Sequence, residues 1–338
     1  MGPAVNLETD YLGLKLAHPI VAAASPLSRD LDGIRRLEDA GAAAVVMPSI
    51  YEEEIEAEDE AFEVLVERGS LTQPEAAGGY FPDMTAFRIG GLEARIETLR
   101  RAAEACAIPI IASLNGSTPE GWTGVARDLE AAGAAAIELN LYRVPTDTRE
   151  SAAEVEGRSI ETVQAVTATV SIPVSVKLGP WLSSPGNHAI NVVAAGARGL
   201  VLFNRFYQPD IDLATLSPKP SLELSTPYEI RQALLWIALL AGRIDASLAA
   251  SSGVSTAEEV VKYLLAGADA VMTASSLLRH GPEHIAVLRR GLEQWMEGRG
   301  FDDIGGWRGL MAAAYLRDGE ALVRSQYIHV LTGYRSGV

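Results

Sequence analysis

The sequence predicts an α/β chain folded as a (β/α)8 TIM barrel. Three observations carry that prediction. Eight short apolar runs rich in Val, Ile and Ala are set off by Gly or Pro. Amphipathic stretches of helical period separate them. Finally, Ala22-Ala23-Ala24-Ser25-Pro26 ends the first run where the rival architecture, an open doubly wound sheet, would place a G-x-G-x-x-G turn.

The strands are expected at residues 19–25, 43–49, 109–115, 135–142, 173–180, 199–206, 247–253 and 270–275. Near-continuous apolar runs of this length suit strands of a parallel sheet covered on both faces. Helices are expected at 31–40, 92–106, 120–132, 160–170, 226–241 and 256–266, with Ala40-Gly41 and Ala266-Gly267 as helix-ending turns. Two segments exceed a minimal barrel. Residues 51–91 form an insertion after the second strand and open with the acidic run 52–60; residues 300–338 follow the last barrel helix. The expected organisation is therefore a barrel over 1–299 and a helical extension over 300–338. A long βα loop lies on the catalytic face of such a barrel, so 51–91 reads either as a lid or as a solvated acidic helix.

Charge and composition exclude several classes. The 338 residues hold 28 Lys and Arg against 44 Asp and Glu, a net charge of −16, which argues against a nucleic-acid partner. One cysteine, Cys106, excludes a disulfide framework and a cysteine zinc site. The five histidines, His18, His188, His280, His284 and His329, form no metal-binding motif, and no metal is expected. The start of the chain carries Glu8 and Asp10 and lacks a basic signal-peptide region. The apolar stretch 233–242 is about half the roughly 20 residues that a membrane crossing takes. No membrane partner and a cytoplasmic location are expected.

Barrel chemistry is expected at the C-terminal strand ends. Two-residue alternation puts Glu138, Asn140 and Tyr142 on one face of the fourth strand and Ser175 and Lys177 on one face of the fifth. Lys177 is one of only four lysines and sits in an apolar strand. A buried ammonium needs a partner. Lys177 therefore reads either as half of an ion pair with Glu138 or as a cation aimed at a ligand that carries negative charge. Ser113 and Asn115 end the third strand and Asn204 the sixth, adding amides suited to a heterocycle of alternating N–H and C=O groups. Small residues, Ser252-Gly253 and Ala274-Ser275, end the seventh and eighth strands, where barrels commonly bind phosphate through backbone N–H groups. The same residues are compatible with tight turns.

Taken in order, these segments resemble the dihydroorotate dehydrogenase family, nearest its class 1 members, over residues 12–292. Tyr11-Leu12-Gly13-Leu14-Lys15-Leu16-Ala17-His18-Pro19-Ile20 resembles the family's opening strands. Glu138-Leu139-Asn140-Leu141 and Val176-Lys177-Leu178-Gly179-Pro180 resemble its fourth and fifth strands. The resemblance implies an FMN-dependent oxidoreductase that moves hydride from dihydroorotate, or a similar small CH–CH substrate, to flavin N5. It implies a place in pyrimidine biosynthesis and a homodimer. By the same resemblance the FMN contacts fall on Ala23, Ala24, Ser25, Ser49, Ser113, Asn115, Asn140, Lys177, Asn204, Ser252, Gly253, Ala274 and Ser275. Lys177, Asn140 and Arg143 are the catalytic candidates. Arg143 stands where the class 1 motif places its catalytic cysteine, and Pro48 where the family has a second lysine. A non-catalytic FMN-binding homologue and a non-redox phosphate-binding barrel enzyme are the alternative readings.

Overall fold

The computed structural model describes residues 5–51, 91–115, 119–205, 208–219 and 221–333, without the side chains of 119–121 and 313–317. A hairpin of β1 (Thr9–Tyr11) and β2 (Leu14–Leu16) comes first. Leu12 and Gly13 both have positive φ, 60° and 78°, as a two-residue hairpin turn requires. The barrel strands follow as β3 (Ile20–Ala22), β4 (Val45–Val46) continued by β5 (Ile50–Tyr51), β6 (Ile110–Asn115), β7 (Ala136–Leu141), β8 (Val174–Leu178) and β9 (Gly199–Leu202). After a small hairpin of β10 (Asp210–Asp212) and β11 (Ser217–Lys219), β12 (Ser247–Ser251) and β13 (Ala270–Thr273) complete the set. All barrel pairings are parallel, and β4 pairs with both β3 and β6, which closes the ring.

The helices cover the outside: α1 (Leu31–Asp39), α2 (Leu92–Ala105), α3 (Pro119–Ala131), α4 (Ala152–Thr167), α5 (Pro185–Ala194), α6 (Ile230–Leu240), α7 (Ala257–Ala266), α8 (Ser275–His280), α9 (His284–Arg299) and α10 (Ala312–Gly333). Each of the eight expected strands is present, with three informative differences. The second is interrupted at Met47-Pro48-Ser49, because proline has no N–H to give the ladder. The sixth stops at Leu202, short of the expected residue 206. Helix α4 starts eight residues before the expected 160, at a capping box in which Ser151 and Glu154 satisfy each other's backbone N–H groups.

Two apolar layers hold the barrel. Outward residues of the strands pack on the helices, with Trp122, Tyr263 and Trp307 among the largest buried side chains. Inside the ring, Tyr11, Leu12 and Leu16 of the first hairpin pack with Val21, Val46, Ala136, Ala249 and Met272, so the hairpin plugs the barrel floor. Ser247 Oγ accepts the Leu12 N–H at 3.0 Å and ties the plug to β12. The insertion expected at 51–91 lies outside the described residues except at its ends. No helix among the described residues is long and apolar enough to cross a membrane.

Candidate active site

The parallel register of β6, β7 and β8 stacks polar side chains in two tiers. Ser113, Glu138 and Ser175 lie level with one another, and Asn115, Asn140 and Lys177 form the next tier toward the C-terminal strand ends. All six are buried. Lys177 Nζ lies 3.3 Å from Glu138 Oε1, so the ion pair, one of the two readings of this lysine, is formed between the tiers. The second carboxylate oxygen of Glu138 is buried with no hydrogen-bond partner among the described residues. Below it lies the phenol of Tyr11, fully buried beside Ser175. Burial, and then the Glu138 charge, push its pKa well above the usual phenol range, so it stays neutral.

On either side of the stack the expected residues are joined in pairs. Asn204 Nδ2 donates to Asn140 Oδ1 at 2.8 Å, although Asn204 lies just past the end of β9. The Ser49 and Ser113 hydroxyls meet at 2.8 Å, and the Arg95 guanidinium donates to the Ser49 carbonyl. At the end of β3, Ala23 and Ala24 pack against the inner apolar layer. Ser25 accepts the Leu27 N–H and caps a 3-10 turn, which gives its hydroxyl a structural task.

Across the mouth, β12 runs into two successive left-handed residues, Ser252 (φ 77°) and Gly253 (φ 75°). A Cβ on Gly253 would stand 2.7 Å from Ile230 Cγ2, so only glycine fits. Its N–H donates to Ser225 Oγ at 3.2 Å, and that hydroxyl donates to Ser275 Oγ at 2.9 Å. Ala274, at the N-terminal cap of α8, packs against the inner layer. Arg279 donates to the Leu224 and Ser225 carbonyls and clamps the loop that delivers Ser225. Ser225 and Arg279 were not foreseen in the sequence. Ser225 sits in the connection after β11, where no periodicity singles it out, and only the fold brings it to Ser275.

Arg143 points elsewhere. Its guanidinium is 3.2 Å from Glu150, which also holds Arg158 at 2.6 Å. Both arginines line a cavity of about 210 Å³ with Tyr142, Trp181 and His188, beyond the ends of β7 and β8. Cys106 caps α2 ahead of β6, at the other end of the barrel. Among the described residues no group of three or more His, Cys, Asp or Glu could hold a metal ion.

The mouth thus offers a cation, paired amides and serine hydroxyls on one side, and small residues around a glycine turn on the other. A sequence model described as dihydroorotate dehydrogenase matches residues 85–296, more than half of the chain. The chain is 29% identical over 331 residues to a putative dihydroorotate dehydrogenase A (fumarate) of Aeropyrum pernix, covering 89% of this chain and 97% of that one. It is 27% identical over 307 residues to the catalytic subunit of a dihydroorotate dehydrogenase B (NAD(+)) of Methanothermobacter thermautotrophicus, covering 88% and 96%. A corresponding catalytic subunit of Methanocella arvoryzae is 29% identical over 269 residues, covering 78% and 85%. The chain belongs to the dihydroorotate dehydrogenase family.

Proposed function

We propose that the two sides of the mouth hold the two ends of FMN, the cofactor of this oxidoreductase family. The donor chemistry fits. The pyrimidine edge of a flavin alternates N–H and C=O groups, which suits Asn115, the Asn140–Asn204 pair and the Lys177 ammonium. The phosphate suits the hydroxyls of Ser225 and Ser275, set beside the Ser252-Gly253 turn by the Gly253 N–H that Ser225 accepts, in the barrel's usual phosphate position. Ala23, Ala24 and Ala274 present small side chains on which a flat ring can stack, with Ser25, Ser49 and Ser113 at its border. When bound, the flavin supplies a hydride acceptor at N5.

The protein's own contribution is electrostatic and positional. Lys177 presents a fixed positive charge where a reduced flavin gains negative charge, and needs no reorganisation to do so. Asn140 and Asn204, locked by their mutual hydrogen bond, orient a small polar substrate against the ring. Arg143, which lines the cavity beyond β7 and β8, offers a guanidinium fork suited to a substrate carboxylate there. A dihydroorotate-type oxidation also releases a proton from C5. Arginine stays protonated, so position 143 is not the base in this chain. By the same resemblance the barrel of 1–299 works as a homodimer with 300–338 as its extension.

The observation that carries this reading is the buried Lys177 in the upper polar tier, with Asn140 beside it. The test is the colour of the purified protein followed by anaerobic addition of dihydroorotate. The expected result is a yellow protein that releases FMN on denaturation and bleaches on addition. A colourless protein that takes up no added FMN contradicts the reading. A yellow protein that dihydroorotate leaves unbleached retains the FMN site and rejects that substrate.

A further inference from the structure

We infer that Glu138 is a positioning residue that sets the electron affinity of the bound flavin by acting through Lys177. The inference rests on the FMN reading above and deepens it. Glu138 is 1% exposed, and of its two oxygens one meets Lys177 while the other has no partner among the described residues. Apart from Lys177, the described groups around it do not offset its charge. Tyr11 below is a neutral phenol that makes no hydrogen bond to it. Ser175, its neighbour on β8, donates weakly to the Ile137 carbonyl at 3.4 Å. Ser113, its neighbour on β6, is joined to Ser49. Lys177 is therefore the one described group that compensates this carboxylate.

A carboxylate in that position is a poor choice for stability alone. Buried ion pairs are commonly matched or exceeded by well-packed apolar residues, and an unsatisfied carboxylate oxygen adds a desolvation cost. It does have an electrostatic consequence at the mouth. The Lys177 charge is shared between the carboxylate below it and the ring edge above it. Glu138 accordingly weakens the pull of Lys177 on the extra negative charge of a reduced flavin, and it holds the ammonium at the floor of the site.

The experiment is a redox equilibration of the FMN-loaded protein with a reference dye of known potential, comparing wild type with Glu138→Gln. The amide keeps an oxygen for Lys177 and removes the negative charge. The ratio of reduced to oxidised flavin at a fixed poise is expected to rise tenfold or more, which is about 30 mV more positive for two electrons. Glu138→Asp retains the charge at a greater distance from Lys177 and is expected to fall between the two. It also serves as the readout if Glu138→Gln does not fold. A merely structural role would alter stability and leave the potential in place. An unchanged or more negative potential in Glu138→Gln overturns the inference, as does an unchanged potential in Glu138→Asp where that variant alone folds. Wild-type protein that binds no FMN overturns the FMN reading itself and this inference with it.

Discussion

The two halves of the barrel interior are built by opposite means. Over β6, β7 and β8 the inward positions carry Ser113, Asn115, Glu138, Asn140, Ser175 and Lys177, six polar side chains packed in register. Over β12, β13 and β3 the inward positions carry Ala249, Met272, Val21 and Ala23, with only the small serines Ser247 and Ser251 among them, and at the mouth the Gly253 N–H is held by a loop hydroxyl. In the first half, buried side-chain charges must compensate one another. In the second, a buried left-handed glycine gives its N–H to a serine hydroxyl among small residues. One half is therefore vulnerable to unpaired charge, the other to added volume.

The largest expected effect tests the first half. Lys177→Met leaves Glu138 as a buried, unpaired carboxylate and is expected to lower unfolding free energy by about 3–5 kcal/mol in urea, with loss of FMN binding. The double variant Lys177→Met/Glu138→Leu should regain most of that stability and none of the FMN binding. If the double variant is no more stable than the single one, the two charges are not coupled.

The second effect belongs to the floor of the apolar half, where His18 is buried. Its Nδ1 accepts the Ile20 N–H and its Nε2 lies 2.7 Å from the Gly41 carbonyl, an arrangement that a neutral ring satisfies. Burial, with a further contribution from Arg289, lowers its pKa from 6.5 to about 4. The unfolded chain therefore binds a proton that the folded one refuses. Stability from this site is full above about pH 6.5, falls as pH drops to about 4, and levels off below. The loss is on the order of 3 kcal/mol and should be much smaller in His18→Gln when urea midpoints are compared across that range.

A third prediction tests the backbone half. Gly253→Ala combines a strained positive φ with a Cβ pressed on Ile230 and the Thr226 carbonyl. It is expected to cost about 1–3 kcal/mol of stability and to weaken FMN binding, read by flavin fluorescence. Unaltered affinity would remove the turn from the phosphate site. The smallest effect is that of Asn204→Ala. It removes the hydrogen bond to Asn140 and the one accepted from the Arg205 N–H, each worth about 1 kcal/mol, and should alter substrate affinity more than FMN content.

The same contrast governs what could be read from the sequence. The polar half was largely legible, because period-two alternation puts Glu138 with Asn140 and Ser175 with Lys177, and adjacent strands must then bring their faces together. The level of each pair was not legible, since register depends on how the closed ring staggers. Tyr11 reaches Glu138 only because the opening hairpin folds under the barrel, and Ser225 reaches Ser275 only because Arg279 draws its loop inward. Contacts of that span leave no periodic trace. Arg143 shows the opposite limit. Its place after the fourth strand was plain, yet the orientation of its side chain depends on Glu150, seven residues further along. Pro48 was visible as a substitution, and its break in the second strand follows from its missing N–H.

The most direct test of the account is a crystal structure of the protein with FMN bound. The expected result is the N1–C2=O edge of the flavin in hydrogen-bond contact with Lys177, the Lys177–Glu138 pair intact, and the phosphate at the Ser252-Gly253 turn beside Ser275. A flavin seated with its phosphate against β6–β8, or a Lys177 turned away from the ring, would contradict it.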